Sequence, residues 1–358
     1  MGRQLPIFLH MTKFNTVGME RMAEMKTRYT DDVLQGHQVI TRLDVDELPM
    51  GCHRFWFRPQ ENGIGQSWHL PVVVYRGEQT GNAPKVMITA GVHGDELNGV
   101  VTAQKVIQYL AEQAVAGTVV IVPTVNVSGM LMHTRDFIMS DPDASPTNLN
   151  RIFPGNPEGD AAQRYIASIW YDLLAHNADI AVDLHTQTRG AAYPLYVFAD
   201  YRIPQTVKMA RLMNPDCIFD DPGDEGVLET VWNRSGIPSI TVEVGAGKVL
   251  QPDMIARSVD GVLNILKAEG VLEGEVSQPQ HECYEGKQIF TVRATLGGFA
   301  LPQVEIGERV EIGQLLAVQY DSFGDEIQRY HAPTSGYVLS VNLDPMREPG
   351  TLLVRLIK

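Results

Sequence analysis

The chain has 358 residues, 44% of them apolar and 20% charged, and a formal net charge of -14. That length points to a large domain of roughly 200–270 residues beside a smaller one, and the acidic balance argues against nucleic acid and anionic membranes as partners. Three scattered cysteines (Cys52, Cys217 and Cys283) form no CxxC pair, which argues against a disulfide framework and a cysteine zinc site and for a reducing cytoplasm.

The Leu5–Met11 run is broken by Pro6 and His10 and followed by charges; it is read as neither a secretory signal nor a membrane span. Residues 1–70 mix helical and strand fragments without a clean period and are read as an N-terminal extension to which no chemistry is assigned. From Val72 the pattern sharpens. Val72–Tyr75 and Val86–Ala90 are continuous apolar runs, as expected of strands buried on both faces. Leu97–Val115 is predicted helical, with Val100, Ala103, Ile107, Leu110 and Ala114 near one stripe. Thr118–Val125 is another buried strand. Residues 127–157 form a polar loop long enough to suggest function. Ala161–His176 reads as a helix, Ile180–Leu184 and Tyr193–Phe198 as strands, Gly226–Arg234 as a helix, Ser239–Val244 as a strand and Asp253–Glu269 as a helix. Alternating strands and helices predict an α/β fold with a mixed, mainly parallel sheet covered on both faces. Glu275–His281 reads as a linker. Short glycine-separated runs follow, so the expected division is an α/β domain over 1–275 and a small all-β domain over 276–358.

Three predicted strands run into polar residues. Val86–Ala90 leads into Gly91-Val92-His93-Gly94-Asp95-Glu96, Ile180–Leu184 into His185-Thr186, and Ser239–Val244 carries Glu243 near its end. Ligands bind at the carboxyl edge of open α/β sheets, so one edge can gather all four groups. Two histidines and a glutamate are an established catalytic zinc set that leaves a coordination position open. His93 and Glu96 sit three apart, Gly94 eases the turn between them, and His185 arrives from another strand. Glu243 then suits proton transfer from water to a leaving nitrogen, and Asp183 and Asp95 suit orientation of the histidines. An HxxE pair alone is a weak signal; the ordered set, with each member capping a buried strand, is a stronger one.

The polar loop adds Arg135 and Asn148-Leu149-Asn150-Arg151. An arginine beside the metal can polarise a scissile carbonyl, and Asn150 with Arg151 can grip a substrate carboxylate. The same side chains could equally be solvated loop residues bonded to backbone, and the residues alone leave the two readings even. Gly245-Ala246-Gly247-Lys248 lacks the remaining marks of a phosphate loop. No GxSxG elbow occurs, and no run of basic and aromatic residues suits nucleic acid.

These motifs, with Ile152-Phe153-Pro154-Gly155 and Val242-Glu243-Val244-Gly245, resemble the succinylglutamate desuccinylase/aspartoacylase family of the zinc-carboxypeptidase-like superfamily. The resemblance spans about residues 70–270. It implies one zinc ion on His93, Glu96 and His185, Glu243 as general base and acid, Arg135 as the carbonyl-polarising arginine, and Asn150 with Arg151 as the carboxylate clamp. It implies hydrolysis of a small N-acylated amino acid or related amide; homo-oligomerisation is left open. The spacing from Arg135 to Asn150 is long for the family, and Arg189, Tyr193 and Arg234 are candidate pocket liners. The C-terminal repeat of Val304, Gly307, Val310, Gly313 and Leu316 resembles biotinyl/lipoyl-type barrel-sandwich domains. Tyr320–Tyr330, where the modified lysine would sit, contains no lysine, so a structural or lid role is expected. The alternatives are a metallocarboxypeptidase acting on peptides and a non-catalytic small-molecule binder.

Overall fold

The computed structural model describes residues 26–78, 83–280 and 282–358; the Leu5–Met11 run and His281 of the linker lie outside them. The strands of the main sheet are β1 (Arg28–Leu34), β2 (His37–Arg42), β3 (Gly51–Phe57), β4 (Leu70–Arg76), β5 (Lys85–Ala90), β6 (Thr118–Val122), β7 (Ile180–Gln187), β9 (Leu195–Ala199), β10 (Cys217–Asp220), β11 (Ser239–Ala246) and β12 (Tyr284–Gly286). A two-residue strand β8 (Ala191–Ala192) pairs elsewhere. The eleven strands run in the order β1-β2-β3-β4-β6-β5-β7-β11-β9-β10-β12. The centre, β6-β5-β7-β11, is parallel, while β4 and β9 run antiparallel to their inner neighbours. The fold is therefore mixed α/β, and the segment before residue 70 contributes three strands to its edge.

Strand alternation divides the core in two. Val86, Ile88, Val182, Leu184, Ile240 and Val242 face one layer, built on helices α1 (Leu97–Leu110), α4 (Pro204–Leu212) and α6 (Pro252–Ala268). Met87 and Ala181 face the other, where α3 (Ala161–Ile169), α5 (Leu228–Arg234), Phe137, Leu149 and Phe153 pack; a short helix α2 (Val127–Leu131) opens the loop between β6 and α3. Each fully buried aliphatic side chain contributes about 1.5–3 kcal/mol, so these layers set the positions of the strand ends.

Three predicted elements end early; one, the Ala161–His176 helix, leaves α-helical geometry after Ile169 and continues as a π-helical turn over Trp170–Leu174. Helix α1 stops at Leu110 rather than Val115, because Ala116 N–H bonds to Val271 O at 2.9 Å and Ala116 bridges Glu78. Strand β6 stops at Val122, since Pro123 has no N–H for the ladder. The 127–157 loop carries α2, a Phe137–Thr147 bridge and a turn of 3₁₀ helix at Leu149–Arg151.

The remaining strands are β13 (Ile289–Arg293), β14 (Gly298–Pro302), β15 (Arg309–Val310), β16 (Leu315–Tyr320), β17 (Glu326–His331), β18 (Gly336–Asn342), β19 (Met346–Arg347) and β20 (Leu352–Ile357). They form two antiparallel sheets, β13-β20-β18-β15 and β17-β16-β14-β19, around Leu316, Val338, Leu353 and Leu356. β8 pairs with β18, and β12, which follows the linker, pairs with β10 in the main sheet. Among the described residues no helix is long and apolar enough to cross a membrane, and none of the three cysteines is paired.

Candidate active site

The chain leaves β5, passes through α1 and returns as β6 on one side, while β7 lies on the other side of β5. The carboxyl edge between β5 and β7 is thus a topological switch point, where such sheets form a crevice. His93 and Glu96 lie in the turn after β5, and His185 lies near the end of β7. Register brings the rest. Asp183 is opposite Thr89 of β5 and Thr241 of β11, and Glu243 is opposite His185. All project towards the α5 layer, because Ile240, Val242, Val182 and Leu184 take the opposite face.

The three expected ligands converge and are buried, with ligand atoms within 4.8 Å of one another. His93 Nδ1 lies 2.9 Å from Glu96 Oε1, His185 Nδ1 lies 2.9 Å from Glu96 Oε2, and the two Nδ1 atoms are 3.2 Å apart. Donors about 2.0–2.1 Å from one tetrahedral zinc ion would be about 3.3 Å apart, so the spacing fits that ion. The outer ring nitrogens support this. His93 Nε2 donates to Asn148 Oδ1 at 3.0 Å and His185 Nε2 to Asp183 Oδ2 at 2.7 Å. Those bonds assign the protons to Nε2 and turn both Nδ1 lone pairs inward, towards a common cation. Thr89 donates to Asp183 Oδ1 at 2.7 Å and holds that carboxylate in turn. Asn148 thus takes the place expected of Asp95, whose backbone carbonyl instead accepts from Lys248.

Glu96 also accepts from Arg135 Nη1 and, at 3.0 Å, from Thr186 N–H. Burial would raise its pKa, but the two histidines outweigh that and hold it below the usual carboxylate range. Glu243 is only 7% exposed. Its Oε1 accepts from Gln187 Nε2 at 2.8 Å, and its Oε2 has no partner among the described residues. Burial, followed by the nearby charge of Glu96, pushes Glu243 up to about 8 without a cation; a cation held by His93, Glu96 and His185 would draw it back towards the ionised form that a base needs. Gln187 also donates to the Tyr196 hydroxyl at 2.5 Å.

His93, His185, Glu243, Arg135, Asn150 and Arg151 line one cavity of about 260 Å³. That volume suits a small molecule and is tight for a peptide chain. Asn150 is buried, its Oδ1 accepting from Leu228 N–H at 2.8 Å, which leaves its amide NH₂ free to donate. Arg151 is exposed, and one of its donors bonds to the Asn150 carbonyl at 2.6 Å. Arg189 and Arg234 are exposed and lie outside the lining, while Tyr193 is buried behind it. A larger groove of about 470 Å³ between Arg58 and Asp172 has no metal-ligating cluster beside it among the described residues.

The cavity also contains groups that the motifs do not reveal. Asp221 and Asp224 precede α5, and Glu229 lies on it. Glu229 is 3% exposed, and its hydrogen-bond partners among the described residues are neutral, Thr241 at 3.0 Å and Asn233 at 3.4 Å. Burial and the neighbouring Asp221 hold its pKa well above the usual carboxylate range. Gln187 was within reach of the sequence, two residues past His185 on the same strand face. Glu229 carried no local signal, because only the packing of α5 turns it inward.

Residues 82–268 match the succinylglutamate desuccinylase/aspartoacylase catalytic domain. The N-α-acetyl-L-2,4-diaminobutyric acid deacetylase of Halomonas elongata is 29% identical over 272 residues, covering 70% of this chain and 74% of that protein. The product-bound ectoine utilization protein EutE (DoeB) of Ruegeria pomeroyi is similar in structure, with a TM-score of 0.75 at 21% identity over 93% of this chain and 99% of that one. A succinylglutamate desuccinylase/aspartoacylase from Rhodobacter sphaeroides gives a TM-score of 0.74 at 22% identity over 92% and 100%. The two structural likenesses speak to the fold. The domain match covers more than half of the chain, and on that ground the chain belongs to the succinylglutamate desuccinylase/aspartoacylase family.

Proposed function

We propose that the protein is a zinc-dependent hydrolase that cleaves the amide bond of a small N-acylated amino acid, releasing a carboxylate and an amine. The observation that carries this reading is the convergence of His93, Glu96 and His185 beside the unpartnered Oε2 of Glu243, in a chain of this family.

His93, Glu96 and His185 would hold a zinc ion, which would supply Lewis acidity to polarise a carbonyl and lower the pKa of water to about 7. Glu243 Oε2 takes a proton from the attacking water as the new C–O bond forms. It returns that proton to the leaving nitrogen as the C–N bond breaks. Gln187, backed by Tyr196, fixes the other oxygen so that Oε2 faces the reaction. Arg135, anchored on Glu96, stabilises the negative charge that develops on the carbonyl oxygen.

The amide NH₂ of Asn150 and the free donors of Arg151 suit a substrate carboxylate. The wall of Asp221 and Asp224 suits an ammonium group, whose charge would also draw the Glu229 carboxyl beside them towards ionisation. The substrate named for the Halomonas relative, an N-α-acetylated diamino acid, combines both charges. We therefore favour N-acylated amino acids with a second, free amine. The barrel-sandwich likeness of the C-terminal unit, without a lysine in Tyr320–Tyr330, supports a structural or lid role, and the unpaired thiols suit a cytoplasmic enzyme.

The test is a screen of zinc-loaded protein against N-acyl amino acids, their carboxamides and short peptides, with detection of released amine. Turnover of N-acyl amino acids, with carboxamides slower by orders of magnitude, is expected. Faster cleavage of peptides would favour a carboxypeptidase, and equal rates for acids and amides would remove the Asn150–Arg151 clamp.

A further inference from the structure

Arg355 differs from the other cations of the cavity. It lies on β20, opposite Thr291 of β13 and Ser340 of β18, so its backbone belongs to the C-terminal β unit. Its side chain nevertheless lines the same cavity as His93, His185 and Glu243. Arg135 is anchored on Glu96, and Arg151 is tied to a backbone carbonyl. Among the described residues Arg355 has one long hydrogen bond, 3.4 Å from Nη1 to the Tyr193 hydroxyl, and its Nε is buried without a partner. Among the described residues no carboxylate forms an ion pair with it.

A guanidinium presents five N–H donors in a planar fork that matches a carboxylate. Leaving most of them idle in a half-buried position is costly unless an anion arrives to use them. The surroundings indicate where that anion sits. Tyr193 stacks on Tyr196 with ring centroids 6.4 Å apart, and Tyr196 bonds to Gln187, which holds Glu243. Arg355 is thus linked through two rings and one amide to the proton-transferring carboxylate, on the wall supplied by the C-terminal unit.

We propose that Arg355 is a specificity-determining residue that binds a carboxylate of the substrate, so the C-terminal β unit takes part in recognising substrate charge. The proposal rests on the amide-hydrolase reading above and deepens it. The carboxylate has two chemical sources, the amino-acid part of the substrate or a dicarboxylic acyl group.

The experiment compares wild type, Arg355→Met and Arg355→Lys, each zinc-loaded, on N-acetyl and N-succinyl amino acids and on carboxamides of both. Losing one partner of a desolvated charge pair should lower kcat/KM of Arg355→Met at least about 30-fold, mostly through KM. Arg355→Lys should recover part of the loss. A penalty on every free acid but not on the carboxamides assigns the carboxylate to the amino-acid part. A penalty on N-succinyl but not N-acetyl substrates assigns it to the acyl group. Wild-type KM for all carboxylate-bearing compounds, or a penalty that N-acetyl acids and their carboxamides share equally, overturns the proposal. Calorimetric binding of the same compounds needs no turnover and separates the two readings. If wild type hydrolyses nothing, the hydrolase reading fails. An affinity loss in Arg355→Met confined to carboxylates would then still uphold the anion site, and its absence would overturn it.

Discussion

His93, His185 and Glu243 occupy adjoining positions, and the proposed function gives them separable jobs. The histidine Nδ1 atoms point into the cluster with Glu96, whereas Glu243 Oε2 is unpartnered at the cavity wall. Removing an inward lone pair should cost the metal, so His93→Ala and His185→Ala should each lose zinc by elemental analysis. Both variants retaining one zinc per chain would refute the ligand set. Glu243→Gln keeps the shape of the side chain and removes its basicity. It should retain zinc while turnover falls by about 10⁴-fold, the upper end for a general acid–base group, because in the proposed mechanism one carboxylate serves both half-reactions. Near-normal turnover would transfer the proton shuttle to another group.

Two elements hold these residues at their distances. The first is the turn between β5 and α1. Gly94 has an ordinary backbone conformation, so the ease of turning expected from the sequence is not why glycine stands there. A Cβ at this position would lie 2.1 Å from the carbonyl carbon of Gly129 and 2.2 Å from Met130 N. Gly94→Ala must therefore push the ligand turn away from α2. It should cost about 1–3 kcal/mol in an unfolding titration and reduce zinc occupancy; an unchanged variant would mean that the turn moves freely. The second element is α5, which buries Glu229. Its folded-state pKa lies above the ordinary value of 4.5, so the folded protein keeps a proton that the unfolded chain releases. This contribution is fully present below that value and is lost as pH rises towards the folded-state pKa. Glu229→Gln cannot ionise, so the unfolding midpoint of wild type should fall relative to this variant as pH rises above 4.5. A constant difference between the two would show that Glu229 titrates normally.

At the scale of the whole molecule the two parts of the chain interlock. β12 extends the main sheet beside β10, β8 pairs with β18, and Arg355 reaches the cavity from β20. A unit joined in this way is poorly suited to swinging as a carrier arm. The β16–β17 turn, where a carrier would present its lysine, is closed by Asp321 accepting N–H bonds from Phe323 and Asp325 at 2.8 and 3.0 Å. Co-expression with lipoyl or biotinyl ligases should leave the intact mass unchanged; an added group would overturn the structural role.

Local pattern determined much of this protein. Continuous apolar runs mark β5, β6, β7 and β11 because strands buried on both faces have no solvated side to alternate with. The polar residues ending three of those runs mark the site because ligands collect at the carboxyl edge of such a sheet. Tertiary structure decided what depends on partners distant in the chain. Asn148 reaches His93 across 55 positions, and Arg355 reaches Tyr193 across 162. The end of α1 was set by Val271, the burial of Glu229 by the packing of α5, and the place of β12 by β10. A hydrogen bond or a buried charge belongs to a pair of surfaces, and only folding decides which surfaces meet.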